Sequence, residues 1–254
     1  MMSDQQRLEE QLLSQAAERR LSQQLDEVET INVKVQTDIG KIFQGRVDGV
    51  YLAGQGLVVQ KKIRVQEINL QTDNIAVDPL SVILGQIKLN APVNANIRLV
   101  LTEADINYAL TSEIIAGLVR KFNLNVDGEM VSFEPQEMQI FLPGDGKLEF
   151  KGKIGIKEKE DTHILGYHTI AYPRTNTKPP MLQSFHCTQG EGIKIELIAA
   201  AMQKVKEIIN LPSYEWENMI FSIKEMEVQK DNLILIIEAH VKQLPSPETI
   251  LAAD

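Results

Sequence analysis

The chain has a single cysteine, Cys187, so no intramolecular disulfide can close. Aromatic residues make up only 5% of it, which leaves a core to be built from Ile, Leu, Val and Met. Basic residues are outnumbered, 26 Lys and Arg against 35 Asp and Glu, giving a formal net charge of −9. That balance excludes a nucleic-acid partner, because phosphate binding draws on a surplus of cations. It also opposes general attraction to anionic membrane surfaces. No stretch approaches the roughly 18 apolar residues of a spanning helix; apolar runs such as Leu233–Ile237 are the size of a strand. The start, Met-Met-Ser-Asp-Gln-Gln-Arg, has no apolar core of a secretory leader. These absences together predict a cytoplasmic protein, at most peripheral to a membrane.

Catalytic and metal-binding patterns are also missing. The four histidines, His163, His168, His186 and His240, include no pair at the i, i+3 or i, i+4 spacing of helical ligands, and no Cys-x-x-Cys occurs. His186 and Cys187 are neighbours, but neighbours on a strand point to opposite faces and cannot form a catalytic pair. Cys187 is therefore expected to be a buried or half-buried thiol. Gly54-x-Gly56 opens no helix and is followed by no Gly-Lys-Ser/Thr, so it makes no phosphate cradle. Neither catalytic residues, nor a metal, nor a cofactor is expected, and the chain does not read as an enzyme.

What is present is amphipathic strand. In residues 148–157, Leu148, Phe150, Ile154 and Ile156 fall on one face, while Lys147, Glu149, Lys151, Lys153 and Lys157 fall on the other. One dry and one wet face describe an antiparallel sheet whose dry side is covered. Further strands are predicted at 31–37, in the Gly-punctuated stretch 45–56, at 63–77, 93–101, 129–142, 161–171 and 181–188. A terminal hairpin is predicted over 219–229 and 233–241. The apolar phase slips near Glu67 and again at Asp73-Asn74, which predicts a bulge and a turn. The pattern of Glu67–Val77 also returns in Glu225–Leu235, either as two hairpins with similar turn chemistry or as a pseudo-repeat.

Three helices are predicted. Residues 3–28 carry a stripe of Leu13, Ala17, Leu21, Leu25 and Val28, with Leu8 and Leu12 off it. Their acidic balance, seven acids to three bases over residues 1–30, is the reverse of a helix made for anionic lipid. Thr102 N-caps a second helix expected to run to Phe122, whose apolar side chains fill an arc of roughly 220°. An arc that wide calls for a curved sheet around the helix. The third spans 194–209, with Leu197, Ala201 and Val205 on its apolar face.

The residues Phe43–Leu57, Asp73, Asp78-Pro79-Leu80 and especially Leu101-Thr-Glu-Ala-Asp-Ile-Asn107 resemble the LmeA-like family of phospholipid-binding proteins, its cyanobacterial branch most closely. The resemblance covers most of the chain beyond residue 30 and implies a tubular lipid-binding type of fold. The fold class expected is α+β, a long, strongly twisted antiparallel sheet wrapped around one or two apolar helices, with an N-terminal helix added. The expected organisation is an amphipathic helix over 1–30, a single lipid-binding-like α+β domain over 31–244 and a flexible tail over 245–254. The expected function is non-enzymatic binding or carriage of phospholipid, or of another acyl-chain ligand, with transient peripheral membrane contact. The groove would be lined by Ile106, Leu110, Ile114, Leu118, Leu197, Ala201 and Val205. The alternative is a scaffold protein with a filled core that docks through its acidic N-terminal helix.

Overall fold

The computed structural model describes residues 4–59, 61–78, 81, 88–112, 121–159, 161–191, 193–209, 213–216 and 218–243. The tail 245–254 lies outside them. In chain order the elements are α1 (Asp4–Ser22), β1 (Thr30–Gln36), α2 (Ile39–Phe43), β2 (Arg46–Val47), β3 (Gly49–Val59), β4 (Ile63–Thr72), β5 (Ile75–Ala76) and β6 (Val93–Thr102). Then come α3 (Glu103–Ala109), β7 (Phe122–Val126), β8 (Glu129–Gly144), β9 (Lys147–Glu158), β10 (Asp161–Tyr172), β11 (Met181–Gln189), α4 (Ile195–Ile209), β12 (Tyr214–Trp216), β13 (Met219–Gln229) and β14 (Asn232–Val241). The class is α+β, mostly antiparallel sheet with few helices, and no sheet closes on itself.

The chain divides into two compact units. The first comprises residues 1–101, 213–224 and 234–254. It holds a seven-stranded sheet in the order β1-β3-β4-β6-β14-β13-β12 and a two-stranded sheet of β2 and β5. β1 and β3 pair without interruption from Thr30↔Gln55 to Gln36↔Gly49. α1 packs along β1 through the predicted stripe, with Leu13, Ala17 and Leu21 half-buried and Leu8 and Leu12 exposed. The helix ends at Ser22, so Leu25 and Val28 belong to the connection to β1.

Two expectations about the strands fail. The phase slip near Glu67 is no bulge: β4 keeps a single register against β3, Glu67↔Gln55 and Val65↔Leu57. β4 lies inside the sheet with both faces half-buried, so strict alternation is not required of it. Nor do the two similar segments share a fold. β5 follows Asp73-Asn74 but pairs with β2, whereas Glu225–Leu235 turns the β13–β14 hairpin.

The second unit comprises residues 102–212 and 225–233. Its sheet runs β11-β10-β9-β8-β7, every pairing antiparallel. Leu148, Ile154 and Ile156 are buried on the dry face as predicted. α4 covers one end of that face, where Leu197 and Ala201 join Val131, Phe133, Ile154, Ile156 and Leu165 in one cluster. A second cluster, Leu142, Leu148 and Val228, lies at the other end with Ile106, Ile140, Phe150 and Leu233 packed on it. The helix from Thr102 is shorter than predicted. α3 ends at Ala109, Leu110–Ser112 form a turn, and Phe122 opens strand β7. Phe122 is strand rather than helix because Phe122-Asn-Leu-Asn-Val126 has a period of two. Phe122 stacks on Phe133 across the strand pair at 5.3 Å.

Candidate functional site

The dry face of β9 carries Leu148, Phe150, Gly152, Ile154 and Ile156 in alternation. The two clusters use every one of these positions except Gly152, which has no side chain to give. Its partners across the sheet are Met138 of β8 and Tyr167 of β10, both half-buried. A Cβ at Gly152 would collide with the Glu137 carbonyl oxygen and stand 2.6 Å from the Tyr167 hydroxyl, so only glycine fits beneath that ring. Above this gap is a cleft of about 600 Å³, walled by Leu110 and Thr111 just past α3. Met138, Gly152 and Tyr167 line it too, and the rest of the lining is polar or charged: Gln136, Glu137, Gln139, Lys151, Lys153, His168 and Thr188. Burial pushes the Tyr167 phenol pKa above its ordinary value. The hydroxyl therefore stays neutral at physiological pH and can both donate and accept a hydrogen bond.

Charges on the wet face of the same strands are matched to one another. Glu149 lies 2.5 Å from His168 Nε2 and 3.2 Å from Lys151 Nζ. Burial works to raise the Glu149 pKa, but Lys151 and His168 outweigh it and hold the carboxyl below its usual range. Lys151 also sits over the Phe141 ring at 4.6 Å, and Lys153 pairs with Glu137 at 3.0 Å. Such exposed pairs add little stability, but Lys151, Lys153, Glu137 and His168 border the cleft and make its rim charged.

The residues expected to line a groove are distributed as follows. Leu110 lines the cleft. Ile106 is half-buried against the second cluster, and Leu197 and Ala201 are each only 2% exposed within the first. Ile114, Leu118 and the side chain of Val205 lie outside the described residues. Met138, Gly152 and Tyr167 were not anticipated. The signal for them was the glycine interrupting an otherwise apolar face. Cys187 departs from expectation too: it is exposed, because β11 is the edge of its sheet. One equivalent of a thiol reagent should therefore label the native protein without denaturant, as intact-mass measurement would show.

Among the described residues no group of three or more His, Cys, Asp or Glu side chains is arranged to hold a metal ion. Among them, too, no helix is long and apolar enough to cross a membrane. Comparison with curated proteins and with solved structures finds no match. A family model described as LmeA-like phospholipid-binding does match, over residues 4–238, and by that match the chain belongs to the LmeA-like phospholipid-binding family.

Proposed function

We propose that the chain binds the acyl portion of a phospholipid, or of a similar amphiphile, in the cleft over Gly152, without catalysing a reaction on it. The observation that carries this reading is the gap in the apolar face of β9, flanked by Met138 and Tyr167 and walled by Leu110. At about 600 Å³ the cleft falls within the roughly 300–1,000 Å³ of small-ligand sites. Ten methylenes taken from water contribute about 8 kcal/mol, a micromolar affinity before the costs of ordering are subtracted. The hydroxyl of Tyr167 and the polar lining supply hydrogen bonds to an ester or head group. Ile106, packed on the second cluster, and Leu197 and Ala201, within the first, do not line this cleft but belong to the apolar packing of the same unit. Ile114, Leu118 and Val205 belong to the proposed lining by sequence. A binding site of this kind is compatible with carriage between membranes through transient peripheral contact.

The test is organic extraction of gently purified protein followed by lipid mass spectrometry against a size-matched control. A stoichiometric amphiphile is expected. The double variant Leu110→Lys with Met138→Lys is expected to lose it and to take up a fluorescent acyl probe about tenfold or more weakly, equivalent to about 1.4 kcal/mol. A clean extract together with no probe uptake by the unaltered chain would overturn the reading.

A further inference from the structure

β1 is an edge strand of the seven-stranded sheet, and α1 lies along its open side. In an antiparallel ladder every second residue turns its N–H and C=O away from the neighbouring strand. On β1 the outward amides include Val33 and Val35, which donate to side chains of α1. Val35 N–H bonds Ser14 Oγ at 2.9 Å, and Val33 N–H bonds the Glu18 carboxylate at 3.4 Å. The fit is geometric. Four residues of helix rise about 6 Å and two residues of strand about 6.6 Å, so acceptors at i and i+4 match amides at j and j−2.

Nothing else on β1 blunts this edge. The strand has seven residues, a continuous register, no proline, no glycine and one charge, Lys34. Ile31, Val33 and Val35 are β-branched and face the sheet's buried side. An edge with those properties pairs with another strand when uncovered. The opposite edge of the same sheet, β12, is only three residues long and needs no cover. The cover itself is lightly held. From Leu8 to Ser22 no side chain of α1 is fully buried, and the bond from Val33 N–H to Glu18 is long at 3.4 Å.

We infer that α1 is a removable guard, and that the strand beneath it is a self-association edge whose partner is β1 of a second copy of this chain. The sequence of β1 is self-complementary about Val33. A two-fold antiparallel pairing centred there sets Val33 against itself and Ile31 against Val35, which keeps all three on the apolar face. The same register sets Lys34 against Asn32 and Thr30 against Gln36, so no like charges oppose one another.

The test uses the full chain carrying Leu13→Glu, Ala17→Glu and Leu21→Glu, which places charge along the docking stripe while leaving good helix formers. Light-scattering mass and amide hydrogen exchange at Val33 and Val35 are the readouts. Relative to the unaltered chain, the variant is expected to double in mass while both amides remain protected. Adding Val35→Pro is expected to return it to the single-chain mass, because proline removes an outward N–H and leaves the ladder to β3 intact. Four results would overturn the inference. These are unchanged mass with either fast or protected amides, a dimer that survives Val35→Pro, and loss of the far-ultraviolet strand signal on undocking α1.

Discussion

Phe133→Ala is expected to lower the unfolding free energy of the second unit by about 3–5 kcal/mol. Phe133 is fully buried, stacked nearly parallel to Phe122, and touches the cluster that joins β8, β9 and β10 to α4. Removing its ring deletes apolar contact and leaves a cavity that the β8–β9 ladder on both sides of Phe133 cannot collapse to fill, since Val131↔Glu158 and Pro135↔Ile154 hold the backbone. Against a total stability of roughly 5–15 kcal/mol for a typical domain, that loss is a large fraction. Phe133→Leu keeps most of the apolar volume and should cost clearly less. Urea unfolding, with hydrogen exchange of the β8–β10 amides to separate this unit from the other, provides the measurement. A change below about 1 kcal/mol for Phe133→Ala would mean that the ring is not a central packing element.

The same unit shows what a sequence discloses and what it hides. Strands β8 to β11 and helix α4 were legible within two residues at each end, because period-two or period-3.6 apolar patterns survive wherever one face is buried. The helical pattern running to Phe122 conceals β7, although Asp127-Gly128 marks it. Both residues take positive φ, 53° and 88°, as a two-residue hairpin turn requires. Reading Phe122 as the end of a long helix hid that signal. The cleft was legible only in part. Leu110 followed from the apolar arc, but Tyr167 and Met138 depend on the register of three strands, which no local pattern specifies. Hydrophobic patterning likewise says which face of α1 is half-buried and nothing about Ser14 and Glu18, whose work is polar and directed at a strand edge.

That polar device occurs twice, and its second occurrence explains the motif by which the family was first legible. In Leu101-Thr-Glu-Ala-Asp-Ile-Asn107, Thr102 caps α3 by accepting from Asp105 N–H at 3.1 Å. Glu103 and Asn107 then stand four residues apart, like Ser14 and Glu18, and meet β8 at residues two apart. Leu142 N–H donates to the Glu103 carboxylate at 2.7 Å, and Ile140 N–H donates to Asn107 Oδ1 at 2.9 Å. Asn107 Nδ2 also donates to the Ile140 carbonyl at 2.7 Å, so the amide acts as a surrogate strand neighbour. β7 pairs with β8 only as far as Phe133, and this part of β8 would otherwise present bare backbone beside the fully buried Leu142. These bonds of α3 to β8, at 2.7, 2.9 and 2.7 Å, are all shorter than the 3.4 Å bond of Glu18 to Val33, which makes α3 the firmer clamp of the two.

Asn107→Ala is accordingly expected to cost about 1–3 kcal/mol, the desolvation penalty of half-buried backbone groups left unpaired. Asn107→Asp separates the two bonds. Its carboxylate can still accept from Ile140 N–H, but its second oxygen meets the Ile140 carbonyl, and two acceptors repel. At neutral pH the Asp variant should be no more stable than the Ala variant. In the folded state the neutral carboxyl is favoured, because only it can donate to that carbonyl, so the folded pKa lies above the unfolded one. A carboxyl of that kind destabilises the fold when ionised, and the penalty fades as pH falls through its folded pKa. The difference between the Asp and Ala variants should therefore shift in favour of Asp on acidification. Comparing each with the unaltered protein at the same pH cancels the acid response of the groups all three share, Glu149 among them. Urea midpoints at neutral and mildly acid pH decide the matter. A pH-independent difference between the variants would show that Asn107 does not bridge both backbone groups of Ile140.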